Sequence, residues 1–195
     1  IFDGMADDVI VIEMNSAESR DIFSPQMSLL GPSGAPLAQT PDNPNTVYFT
    51  VLSYVLPSDG TYTIQAAQGQ FGDDTGDYTI RLLQPEALIA GETIEETINA
   101  DTGNQYYVVE SDGASTVDFR MIGAEEQVPR FVIREAETFR LQAYYLSFTP
   151  VSTGSITGFI EGGGPLLVSA EYDAGDLYAE FLQPAGAFQI TLQEE

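Results

Sequence analysis

The most constraining feature of this sequence is a period of two. Short runs alternate apolar and polar residues, or are apolar throughout, and Gly, Pro, Asp and Asn punctuate them. Residues 8–14 read DVIVIEM, 47–55 VYFTVLSYV, 61–66 TYTIQA and 77–83 DYTIRLL. The pattern returns at 105–109, 116–122, 130–133, 139–148, 155–160, 166–172, 177–182 and 187–192. A 3.6-residue period is nowhere sustained. The nearest helix candidate, Glu135 to Phe148, carries Tyr144, Tyr145 and Phe148, which suit a strand better. The chain is predicted to be all-β, with many short strands and frequent turns.

At 195 residues there is room for one large sandwich or two small domains. An internal similarity favours two. Gly76-Asp77-Tyr78-Thr79-Ile80-Arg81-Leu82 and Gly186-Ala187-Phe188-Gln189-Ile190-Thr191-Leu192 share Gly, an aromatic and alternating apolar residues. Each follows a segment read here as its hairpin partner, Gly60 to Ile64 and Gly175 to Phe181. Tyr62, Ile64, Tyr78 and Ile80 are expected to point inward on neighbouring strands. The expected architecture is two tandem antiparallel β-sandwich, jelly-roll-like domains, 1–84 and 88–195. They are joined near Gln84-Pro85-Glu86-Ala87, where Pro85 should end strand pairing.

Composition narrows the chemistry. Thirty Asp and Glu face six basic residues, all arginine, for a formal charge of −24. There is no His, Cys, Lys or Trp. Thiol nucleophiles, Ser-His-Asp arrangements and zinc held by imidazole or thiolate are excluded. So are Schiff-base lysines and Walker-type phosphate loops. The charge repels nucleic acid and anionic membrane surfaces, and no run approaches the roughly 18 apolar residues of a membrane span. Apolar content of 43% still provides for a packed core. A cysteine-free, lysine-free, acidic chain suits the exterior of a prokaryote. It opens at Ile1 within an apolar segment and reads as a trimmed piece of something longer.

Carboxylates are the remaining chemistry. Asp73, Asp74 and Asp77 fall within five residues beside Gly72, Thr75 and Gly76. They are either calcium ligands, calcium taking 6–8 oxygens, or an acidic solvated turn. Weaker oxygen clusters lie at Asp42, Asn43 and Asn45, and at Asp3, Asp7 and Asp8. No carboxylate pair stands out as a glycosidase acid and base, so no catalytic residue is assigned and the chain is read as non-enzymatic. In the tandem pairs Tyr106-Tyr107 and Tyr144-Tyr145 one ring is expected inside and one outside, packing a sheet, stacking on a sugar or meeting a partner. Arg130, Arg134 and Arg140 either pair with Glu125, Glu126, Glu135 and Glu137 or form a basic patch for another copy.

The first part opens with Phe2-Asp3-Gly4 and Ala6-Asp7-Asp8-Val9, followed by Ser24-Pro25-Gln26-Met27-Ser28-Leu29-Leu30-Gly31-Pro32-Ser33-Gly34 and Asp42-Asn43. It ends with Leu56-Pro57-Ser58-Asp59-Gly60-Thr61-Tyr62-Thr63-Ile64 and Gly76-Asp77-Tyr78-Thr79-Ile80. In that order these segments, residues 2–83, resemble the bacterial pre-peptidase C-terminal domain. Asp59-Gly60 and Pro32-Ser33-Gly34 supply turn chemistry. Gly91 to Ile98 followed by Gln105 to Val109 is similar to the opening of a divergent second copy, residues 88–193. The resemblance implies a small β-sandwich appended to exported proteins, and calcium near an edge in some members. Nothing in the first part matches Gly91 to Ile98, so its sandwich is expected to lack a first strand and to expose a sheet edge, the strand either lying upstream in a longer chain or coming from another subunit. Two roles follow. One is a structural subunit of an extracellular filament or surface layer, completed by its neighbours' strands, with other copies as partners. The other is an accessory module of a larger secreted enzyme, such as a protease, that binds a polymer or a surface.

Overall fold

A computed structural model describes residues 1–16, 25–40, 49–69, 76–98, 102–110, 116–123, 130–146, 153–159, 164–171 and 186–193. Their regular structure is entirely β. The chain divides into two compact units, Ile1–Gln84 and Pro85–Glu195.

The first unit holds β1 (Phe2–Gly4), β2 (Val9–Ser16), β3 (Pro25–Leu30), β4 (Pro36–Gln39), β5 (Phe49–Val55), β6 (Gly60–Gln68) and β7 (Tyr78–Leu83). They form two antiparallel sheets, β1-β6-β3-β4 and β5-β2-β7. The core lies between them. Ile10, Ile12 and Met14 of β2 and Leu52 of β5 meet Met27 and Leu29 of β3 and Tyr62 of β6. Alternation explains the packing, since every second residue of a strand faces the same side.

The second unit holds β8 (Glu86–Ala87), β9 (Thr93–Ile98), β10 (Gln105–Val109), β11 (Thr116–Gly123), β12 (Arg130–Glu135), β13 (Leu141–Leu146), β14 (Thr153–Phe159), β15 (Leu166–Ala170) and β16 (Gly186–Gln193). Its sheets are β13-β12-β15-β10-β8 and β14-β11-β16-β9. Tyr107, Phe131, Ile133 and Val168 from the first pack with Ile98, Phe188 and Ile190 from the second. Strands β9 to β16 follow the order of a double-Greek-key jelly roll.

The two units repeat one plan. Strands β1 to β7 correspond in order to β10 to β16: β1-β6-β3-β4 matches β10-β15-β12-β13, and β5-β2-β7 matches β14-β11-β16. The register agrees in detail. Ile12 and Met14 face Leu82 and Ile80, as Phe119 and Met121 face Leu192 and Ile190. An irregularity between Leu29 and Leu30 on β3 recurs between Ile133 and Arg134 on β12. Such breaks are structural features of a fold rather than accidents of it.

Three sequence expectations are corrected. First, β6 and β7 are not hairpin partners: β6 pairs with β1 and β3, and β7 with β2 in the other sheet. The connection between them is longer than a tight hairpin uses, because it crosses from sheet to sheet. Second, the segment after Pro85 is not merely a linker: Glu86 and Ala87 pair in parallel with Tyr107 and Val108. Third, Tyr106 and Tyr107 are both buried, not one inside and one outside. The counterpart pairing of Gly175 to Phe181 lies outside the described residues.

Turn chemistry places the first unit's ends. Gly60 has φ +153, and a Cβ there would come within 2.5 Å of Pro32 Cγ, so only glycine fits. Gly34 N donates to Gly31 O, and Gly31 N to Ala35 O, both at 2.8 Å, closing the turn between β3 and β4.

Candidate functional site

Among the described residues, three arginines within or beside the strands are engaged with carboxylates. Glu13 and Arg81 sit directly opposite on β2 and β7, and their side chains meet at 3.0 Å with the carboxylate almost fully buried. Removing one member of such a pair is far costlier than the pair is worth, because the other charge stays desolvated. Arg134 on β12 reaches Glu171 at 2.6 Å and Ser169 at 3.0 Å, and its guanidinium lies 4.6 Å from the Phe139 ring centroid. Arg140 bonds Glu135, which Thr138 and Gln142 also reach. These donors, Arg140 first, hold the Glu135 carboxyl below its ordinary range. Its contribution to stability is present above that range and is lost as pH falls through the depressed value.

The arginine trio thus divides. Arg140 pairs locally with Glu135, whereas Arg134 pairs with Glu171 across the neighbouring strand. The side chain of Arg130, with Glu125 and Glu126, lies outside the described residues. Glu13 and Arg81 were not singled out from the sequence. The signal was there: one charge inside VIVIEM and one inside YTIRLL, which only a partnered charge can occupy.

Tyr107 presents a different polar group. Its hydroxyl is buried and finds no hydrogen-bond partner among the described residues. Burial raises its pKa well above the ordinary value, and the charges of Glu96 and Glu86 add to the effect.

Of the three proposed calcium ligands only Asp77 is among the described residues. Asp73 and Asp74 lie outside them, as do Asp42, Asn43 and Asn45. Asp77 is exposed ahead of β7. In the other acidic cluster, Asp3 accepts from Thr61 and Asp8 from the Met5 N–H, while Asp7 adopts φ 67. Two of these three carboxylates hold local structure. Among the described residues no three His, Cys, Asp or Glu are grouped as for a metal.

The most distinctive surface is the outer edge of β7. Ile80 and Leu82 share a face with Met14 and Ile12, the core side of the sheet. Yet they are 37% and 39% exposed. Their counterparts in the second unit are covered: Ile190 is fully buried, and Leu192 packs against the core. The difference is β9, which pairs antiparallel with β16 and sets Ile94 opposite Ile190 and Ile98 opposite Gly186. Among the described residues, no strand takes that place beside β7. Tyr144 and Tyr145 lie on β13 opposite Val132 and Phe131, at the far edge of the other unit's sheet.

No family model matches the chain, and no curated protein matches it. Solved structures do. One is the pre-peptidase C-terminal domain of a collagenase from Bacillus anthracis, with TM-score 0.40 and 12% identity over 56% of this chain and 95% of that one. Another is the M60 catalytic domain with the CBM51-1 and CBM51-2 domains of ZmpB from Clostridium perfringens. It has TM-score 0.30 and 9% identity, covering 98% of this chain and 33% of that one.

Proposed function

We infer that this pair of sandwiches is a non-catalytic accessory module of a larger extracellular chain, where it binds a polymer or a surface. One observation supports this above the rest. The same seven-strand plan is built twice, and among the described residues Arg81, Arg134 and Arg140 are each engaged with a carboxylate of their own unit. A duplicated scaffold with surface to spare suits binding in tandem, where two weak contacts on one chain reinforce each other. The acidic, cysteine-free composition supports an exterior location for the module.

The test is co-sedimentation of the purified chain with insoluble polysaccharides, insoluble protein fibres and prokaryotic cell envelopes. Light scattering is run in parallel. Retention on one of these by a monodisperse particle near 21.1 kDa is the expected result. No retention on any of them, together with regular filaments or sheets in negative stain, would replace this reading with that of a filament or surface-layer subunit. The open edge of β7 is the observation that gives this second reading a structural basis.

A further inference from the structure

We propose that the outer edge of β7 is the seat of an antiparallel strand of the β9 type, carried on the same polypeptide directly ahead of β1. The argument comes from the repeat. Corresponding pairs fix the register between the units. Leu29 faces Ile64 as Ile133 faces Val168, both next to the same strand irregularity. Tyr62 then corresponds to Leu166, and their partners Phe2 and Val109 correspond to each other. On the other sheet, Ile80 corresponds to Ile190 and Gly76 to Gly186.

This register specifies the occupant's chemistry. In the second unit Ile94 lies opposite Ile190, and Ile98, four residues on, lies opposite Gly186. Ile94 packs against the core cluster, and Ile98 and Leu88 belong to it. The strand that closes the first unit therefore carries an apolar residue opposite Ile80 and another four residues later opposite Gly76. At Gly76 an added Cβ would meet nothing within 4 Å, so there is room for a side chain from the neighbouring strand. It also completes the jelly-roll order that β1 to β7 otherwise follow.

The source is fixed by connection. In the second unit β9 precedes β10 by only residues 99–104, so the closing strand is tethered to the next strand in the fold. A short tether gives a high effective concentration, which a strand from another molecule must match through its own affinity. An open row of backbone groups beside an apolar face is otherwise a template for unwanted pairing.

The test joins a copy of residues 85–107 directly ahead of Ile1 in the full chain, so that Ile1 follows as Val108 does in the second unit. Amide exchange of β7 and thermal unfolding are compared with the unextended chain. The expected result is slowed exchange across β7 and a rise of roughly 4–8 °C in the first unit's midpoint. Both gains should vanish when the added copy carries Ile94→Asp and Ile98→Asp. Unchanged β7 exchange in the extended chain would overturn the proposal. So would an unextended chain whose β7 is already as protected as β16. If that protection instead grows with concentration as the particle mass doubles, a second copy fills the edge and the tethered source is wrong.

Discussion

Tyr107 shows how one atom can be costly without being functional. Its ring belongs in the core of the second unit, but its hydroxyl is buried and gains no bond among the described residues. A hydroxyl in that state costs about 1–3 kcal/mol. Tyr107→Phe is therefore expected to be neutral or to stabilise the fold by about 1 kcal/mol at neutral pH. The pH dependence has a definite sign. The folded pKa is raised above the ordinary tyrosine value by burial, with Glu96 and Glu86 adding to it. The group's contribution is intact below the unfolded pKa and is lost as pH rises toward the folded one. The stability gap in favour of the phenylalanine variant should thus widen between about pH 9 and about pH 11. Chemical denaturation of both proteins at the two pH values measures it. A variant that is less stable at neutral pH would mean that the hydroxyl has a partner.

Among the elements, β7 and β16 provide an internal comparison, since they share an aromatic-led apolar alternation, register and the neighbouring strand β2 or β11 but differ in one covering strand. Ile190 is fully buried beneath β9, whereas Ile80 is 37% exposed. Ile190→Asp places a carboxylate in the core and is expected to cost about 4 kcal/mol or more. Ile80→Asp, at an open edge, is expected to cost roughly 1 kcal/mol. Amide exchange resolved by unit reads both, and equal losses would mean that the β7 edge is covered after all. Where alternation marks a strand it does so locally: residues 105–109 coincide with β10, and the other marked runs within the described residues agree with their strands to within two residues. Alternation names no partner, however. The pairing of β7 with β2 rather than β6 depends on a crossover between sheets, which leaves only a long loop in the sequence. Strand β8 was invisible for another reason. Two residues after a proline carry no period, and only the facing Tyr107 and Val108 make them a strand. The expectation of a missing first strand came from one segment's lack of a match to Gly91 through Ile98; among the described residues no strand pairs with the outer edge of β7. Glu13 and Arg81 each stand out as a charge in an apolar run, but their pairing does not, because they lie 68 residues apart.

At the scale of the whole molecule, the charge of −24 acts on both units together. Its sign of effect on stability is not obvious, because salt weakens attractions and repulsions alike. Arg81–Glu13, Arg134–Glu171 and Arg140–Glu135 are ion pairs that screening would loosen. Two of the three are largely withdrawn from solvent, and such pairs are screened much less than exposed ones. The exposed pair is worth at most about 1 kcal/mol. Against them stand 24 uncompensated negative charges, mostly without a basic neighbour, on a chain that unfolding would let expand. Raising ionic strength from about 0.01 M to about 1 M shortens the screening length from about 30 Å to about 3 Å and removes most of that repulsion. The unfolding midpoint in sodium chloride is therefore expected to rise across this range, by scanning calorimetry or circular dichroism. A falling midpoint would mean that the few arginine pairs outweigh the acidic excess, and that the charge pattern is attractive in the folded state. A rising one makes a salty exterior the setting in which these sandwiches are most stable.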